Sequence, residues 1–171
     1  QENLAERLTE IMKKYHVAPA QINLEITETA AAHSDMLENN IKILHKQGIE
    51  FSLDDYGSGY SNTDYLFRFP FRIVKIDKTI LWEAFKNEKA MIALRNTIRM
   101  IKELGLEIVV EGVENQEYVD YLTEQHCNYL QGYFYSKPIP DRDFLELLRR
   151  ENAQYYAERF SKNELSDIIT T

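Results

Sequence analysis

Five apolar runs in this sequence each end on groups that can carry charge or offer a lone pair. Glu25 and Glu28 follow Leu24, Asp54 and Asp55 follow Leu53, Lys75 and Asp77 flank Ile76, Glu111 and Glu114 follow Val110, and Gln131 follows Leu130. If the runs are neighbouring strands, several carboxylates and one lysine share a pocket. Packing carboxylates together beside apolar strands costs several kcal/mol each unless cations offset the charge, and Lys75 alone does not balance them. A divalent metal does. Oxygen donors without a His or Cys cluster suit Mg²⁺ or Mn²⁺ rather than Zn²⁺. The histidines, His16, His33, His45 and His126, are scattered rather than grouped as metal ligands are. An acidic pocket with one lysine suits phosphoryl chemistry, in which metal ions polarise the phosphate and generate hydroxide from bound water. Hydrolysis of a phosphodiester fits.

The elements that position these groups follow from the hydrophobic pattern. Residues 22–26, 51–53, 73–76 and 108–110 read as buried strands rich in Ile, Val and Leu, with a weaker strand at 129–135. Helical spacing predicts helices over 4–15, 35–47 and 86–104, the latter two stopped by Gly48 and Gly105. Asn115 is read as the N-cap of a helix to about 126, and Asp141 as the cap of one over 142–150. Strand and helix alternating at this spacing mean parallel βαβ units, hence an α/β fold. In such folds ligands bind at the C-terminal ends of the strands, and in a barrel those ends converge on one mouth. The aromatic run Tyr129, Tyr133, Phe134 and Tyr135 reads mostly as core, with one ring able to stack on a base.

Composition bounds the rest. The 171 residues make one domain, 44% hydrophobic, with a formal charge of −8. That charge argues against a nucleic-acid polymer as partner, since such binding needs Lys and Arg to neutralise phosphates. Any phosphate must be met locally. Cys127 is the single cysteine, so no internal disulfide forms and a cytoplasmic location is expected. No apolar run approaches the roughly 20 residues that span a bilayer, and no direct membrane contact is expected from this segment. The chain opens on Gln1, as an excised or processed segment does. The pattern is lost after about residue 150, so 1–150 is read as the domain and 151–171 as a C-terminal helical extension or tail, in which Tyr155, Tyr156 and Phe160 could extend the last helix.

Five ordered motifs carry a family resemblance: Leu24-Glu25-Ile26-Thr27-Glu28, Asp54-Asp55-Tyr56-Gly57-Ser58-Gly59-Tyr60-Ser61, Lys75-Ile76-Asp77, Glu111-Gly112-Val113-Glu114, and Gln131-Gly132-Tyr133 with Ser136-Lys137-Pro138. The chain resembles the EAL-domain phosphodiesterases, which open cyclic di-GMP to a linear dinucleotide. The resemblance implies a (β/α)₈ barrel of the TIM type, here incomplete with about five parallel strands. The family's signature Glu-Ala-Leu strand, and a later strand bearing a metal-binding Asn, fall before Gln1.

By the same resemblance, Glu25, Asp54 and Asp55 bind the metals of a two-metal Mg²⁺ or Mn²⁺ site, and Glu111 is a metal ligand or the base that activates water. Lys75 steadies the attacking water and the transition-state charge. Gln131 holds the water or the metal site. Glu28 restrains the loop containing Gly57 and Gly59, and Glu114 supports the site from behind. The loop and the helix after Asp55 are implied as a homodimer contact. The resemblance leaves two functions open: hydrolysis by the full-length domain, or a domain that has lost catalysis and serves as a cyclic di-GMP receptor. The isolated fragment is expected to be inactive. Bland alternatives also stand: Asp77 as a cap or loop anchor, Glu28 in a structural salt bridge, Gln131 bonding loop backbone, and the glycines as turn devices.

Overall fold

In a computed structural model, residues 4–31, 35–59 and 63–159 are described. His33 and loop residues 60–62 lie outside them, as do the side chains of Tyr155 and Tyr156 and residue Phe160. The order is α1 (Leu4–Tyr15), a 3₁₀ turn (Pro19–Gln21), β1 (Asn23–Thr27), α2 (Glu28–Ala31), α3 (Asp35–Lys46), β2 (Glu50–Tyr56), α4 (Tyr65–Arg68), β3 (Ile73–Ile76), α5 (Lys78–Ala84), α6 (Glu88–Glu103), β4 (Glu107–Val110), α7 (Gln116–Glu124), β5 (Tyr129–Leu130) and α8 (Asp141–Arg159). The chain forms two compact units, residues 1–135 and 136–171. The second holds α8, which runs unbroken through residue 150. No helix among the described residues is long and apolar enough to cross a membrane.

All five strands pair in parallel in the order β1-β2-β3-β4-β5. The register assigns each side chain a face, because parallel partners point the same way and neighbours along a strand point oppositely. Ile26, Leu53, Val74 and Ile108 share one level and one face. With Phe51, Ile76 and Val110 they are buried and join a core with Ile41 and Leu44 of α3, Leu81 of α5, Leu94, Ile98 and Ile101 of α6, and Leu122 of α7. Each such side chain contributes about 1.5–3 kcal/mol when fully buried, so this face holds the sheet together. The opposite face carries Glu25, Asp54, Lys75 and, one step past β4, Glu111. Stability and chemistry are thus placed on opposite sides of one sheet.

Helix ends follow their capping chemistry. Asn115 Oδ1 accepts from the Tyr118 N–H at 2.9 Å, as the sequence suggests, and Asn87 caps α6 in the same way. The helix expected over 86–104 is α6, Glu88–Glu103; before it, Asp77 accepts from the Thr79 N–H at 2.9 Å and starts a further short helix, α5, outside the expected spans. This fixes Asp77 as a cap.

The strand expected over 129–135 is only Tyr129–Leu130. The chain turns at once, with the Tyr135 N–H donating to the Gly132 carbonyl at 3.1 Å. Gly132 permits the close approach to the backbone of Val113, since a Cβ there would lie 2.0 Å from the Val113 carbonyl oxygen. The aromatics of this run are not core: Tyr129, Tyr133, Phe134 and Tyr135 are 39–61% exposed, because two paired residues cannot bring them against the helix layer.

Cys127 packs against the core, and burial pushes its thiol up to about 11. Thiolate is the reactive form, so its population at pH 8 falls roughly 100-fold below that of a cysteine at the ordinary value of 9.0. Alkylation by iodoacetamide is therefore expected to run about 100-fold slower in the native protein than in urea. Equal rates would show that Cys127 is not shielded.

Candidate active site

The site is built around Lys75 in the central strand. Its side chain is one-tenth exposed, and its Nζ lies 2.7 Å from Asp54 Oδ1, 3.0 Å from Glu25 Oε1 and 3.0 Å from Glu111 Oε1. Three strands thus deliver carboxylates to a lysine on a fourth. Burial alone would lower the lysine's pKa, but the bonds to Asp54, Glu111 and Glu25 outweigh it and raise the pKa above the usual lysine range. The ammonium is permanently charged.

Adjacent Asp54 and Asp55 would point to opposite faces of a regular strand. The register resolves this: Leu53 pairs with Val74 and Tyr56 with Ile76, so residues 54 and 55 together oppose Lys75. This is a β-bulge, in which one extra residue re-aims its neighbours. Asp55 takes φ = 57°, a left-handed conformation that Asp tolerates better than most residues. Both carboxylates consequently reach the site face, and oxygens of Asp54, Asp55 and Glu111 lie within 4.8 Å of one another. Burial first, then the charges of Asp54 and Asp77, raise the Asp55 carboxyl above the usual aspartate range. Such a group gains from added positive charge.

These residues fit a divalent ion. Opposite oxygens around six-coordinate Mg²⁺ lie about 4.2 Å apart, inside the 4.8 Å that bounds the separations of these three donors. Asp54 Oδ1 is enclosed and its charge is met at 2.7 Å by the Lys75 ammonium. An ionised carboxylate has about four lone-pair sites, so one such contact leaves Asp54 able to bind a second cation. The donors are all carboxylate, which favours a hard ion. Glu25 meets Lys75 but is half exposed and lies outside the three-acid group.

Glu28 sits elsewhere. It begins α2, is 2% exposed, and accepts the Gly57 N–H at 3.1 Å through Oε2. Gly57 has φ = 89° directly after the bulge, so the bond ties the start of the loop to the end of β1. Glu28→Ala is expected to lower stability by about 1–3 kcal/mol by stranding the amide, read as a drop in melting temperature. An unchanged melting temperature would remove this tie. Gly59 has open space about it, and nothing among the described residues demands glycine there.

Glu111, Glu114 and Gln131 meet in a cleft of about 220 Å³ with Lys78, Trp82 and Tyr133. Glu114 and Gln131 are exposed along it, and the Gln131 backbone bonds both Val110 and Val113. Sequence reading missed Trp82, the chain's one tryptophan. Its Nε1 donates to the Gly112 carbonyl at 2.8 Å, and Lys78 Nζ lies 5.5 Å from the centre of its ring. The available signal was its place one helical turn after Lys78, behind the Asp77 cap.

Comparison with known proteins establishes the family and the fold. The chain is 34% identical over 145 residues to the cyclic di-GMP phosphodiesterase RocR of Pseudomonas aeruginosa, covering 84% of this chain but 37% of RocR. Its fold matches the EAL domain of Mycobacterium smegmatis DcpA with a TM-score of 0.80 at 30% identity, over 88% of this chain and 68% of that one. It also matches the cAMP-bound EAL enzyme Bd1971, with a TM-score of 0.82 at 25% identity, over 87% of this chain and 40% of that one. The chain therefore spans well under half the length of RocR and of Bd1971. The model of the EAL domain covers residues 1–138, and on that match the chain belongs to the EAL domain family.

Proposed function

We propose that these residues form the greater part of the catalytic site of a cyclic di-GMP phosphodiesterase, active in the complete barrel with Mg²⁺ or Mn²⁺. The observation that carries this reading is the convergence of Glu25, Asp54 and Glu111 on Lys75, with Asp55 turned in by the bulge. Similarity to RocR, named as a cyclic di-GMP phosphodiesterase, supports the substrate. A manganese complex of another similar EAL structure, from Klebsiella pneumoniae BlrP1, supports the metal.

In the reaction, a water oxygen attacks phosphorus, one ring P–O ester bond breaks, and the departing oxygen takes a proton. Bound divalent ions would supply Lewis acidity toward the phosphoryl oxygens and toward the water. Asp54, Asp55 and Glu111 would hold them, with Glu25 at the more exposed edge. Glu111 accepts the water's proton on a carboxylate oxygen. The Lys75 ammonium faces the negative charge that grows on the phosphoryl group. Gln131 and Glu114 line the adjoining cleft and orient substrate there. We place the protein in the cytoplasm, where Cys127 stays reduced, and assign pairing of two copies to the segment after Asp55, where Phe67 of α4 is 70% exposed.

The test is incubation of the complete barrel with cyclic di-GMP and Mg²⁺ or Mn²⁺, and chromatography of the products. A linear dinucleotide that vanishes on chelation is expected. Its absence at saturating metal would overturn the assignment.

A further inference from the structure

The backbone immediately after Glu111 is held by four hydrogen bonds. The Glu111 N–H donates to the Ile76 carbonyl at 3.0 Å, the Val113 N–H to the Gln131 carbonyl at 3.1 Å, and the Phe134 N–H to the Val113 carbonyl at 3.0 Å. The fourth bond comes from a side chain: Trp82 Nε1–H to the Gly112 carbonyl at 2.8 Å. Gly112 has φ = 71°, and a Cβ there would fall 2.3 Å from Lys78 Cβ and 3.0 Å from Trp82 Nε1. Helix α5 therefore presses against this residue so closely that only glycine fits, and the indole fixes which way its carbonyl faces. One residue earlier, Glu111 reaches Lys75 at 3.0 Å and shares the acidic group with Asp54 and Asp55.

We propose that Trp82 is a positioning residue for the phosphodiester hydrolysis: by holding the Gly112 carbonyl it sets the direction in which Glu111 enters the metal site. The inference rests on the functional reading above and adds to it a residue that touches neither metal nor phosphate. Removing the indole N–H leaves the peptide between Gly112 and Val113 held on one side only, by the Val113 N–H bond to the Gln131 carbonyl, so that its carbonyl side can tilt. The Glu111 carboxylate then samples positions away from Asp54 and Asp55. Partners that orient ligands in this way typically change metal affinity or activity by about 10–100-fold when lost. The core beneath is little affected, because Trp82 is only partly buried.

The chain contains one tryptophan, so its indole N–H gives a single resonance in a ¹⁵N-labelled sample. That resonance is expected to be protected from hydrogen exchange and to shift as Mg²⁺ is added. Mn²⁺ binding, followed by calorimetry, is expected to weaken about 10–100-fold in Trp82→Phe, with the melting temperature within a few degrees of the parent. In the complete barrel the same change is expected to lower kcat at saturating Mn²⁺ while leaving KM within about threefold. A parent protein that binds Mn²⁺ with an unprotected or unshifted indole resonance, or a Trp82→Phe variant with parental Mn²⁺ affinity and kcat, would overturn the inference alone. A parent protein that binds no Mn²⁺ overturns the functional reading and this inference with it.

Discussion

Glu111→Ala is expected to lower kcat about 10²–10⁴-fold in the complete barrel while leaving the protein as stable as before or slightly more so. The two halves of this expectation have separate causes. Chemically, on the proposed reading Asp54 and Asp55 are taken up by the ions and Glu25 is half exposed, which leaves an oxygen of Glu111 to take the proton. Electrostatically, Glu111 is one of three carboxylates facing a single ammonium, with Asp55 beside them, and its removal relieves repulsion. Lys75 keeps Asp54 at 2.7 Å and Glu25 at 3.0 Å. The loss of rate therefore falls on water activation and not on folding. Substrate affinity, measured at saturating Mn²⁺, is expected to stay within a few-fold, because the interaction removed is one made in the transition state and not in the bound ground state. Turnover within a few-fold of the parent would remove Glu111 from the mechanism. A large drop in melting temperature would instead make it a structural residue.

The strands that carry the site were legible because they are buried on the helix side and so lack polar interruption: β3 spans the expected residues 73–76. The acidic ends were legible for a related reason, since charge directly after such a run is costly without a purpose. How Asp54 and Asp55 share one face was not. That depends on a bulge in the pairing of β2 with β3, a relation between strands that no local pattern encodes. The length of β5 was not legible because the aromatic composition of 129–135 reports propensity, whereas its end lies where the backbone of Gly132 comes against Val113. Glu28 read ambiguously as a strand-end charge. It lies beyond β1 as the first residue of α2, and only the folded chain brings Gly57 to it. Trp82 was invisible for the opposite reason: a tryptophan on an amphipathic helix has the pattern of a core residue, and its role lies in one N–H.

Lys75→Met is expected to shift stability in the direction opposite to Glu111→Ala. The substitution keeps the length of the stem and removes the ammonium, leaving Asp54, Glu25 and Glu111 facing one another where the charge stood, with Asp55 beside them. Removing one partner of a buried ion pair costs about 3–5 kcal/mol, a large share of the roughly 5–15 kcal/mol that holds a domain together. For a chain of this size the melting temperature falls by roughly 10 °C or more. The remedy distinguishes the site from an ordinary salt bridge. Millimolar Mg²⁺ or Mn²⁺ can occupy the oxygens that the lysine no longer neutralises, so added metal is expected to recover much of the loss, and to raise the melting temperature more in Lys75→Met than in the parent. Turnover does not return with it, because the charge facing the phosphoryl group is gone, a loss worth about 10²–10³-fold in kcat. A variant that melts at the parental temperature without metal would mean the carboxylates tolerate one another unaided, and the case for a cation-dependent site would weaken accordingly. Recovery of both stability and turnover on adding metal would instead reduce Lys75 to a counter-ion with no part in the chemistry.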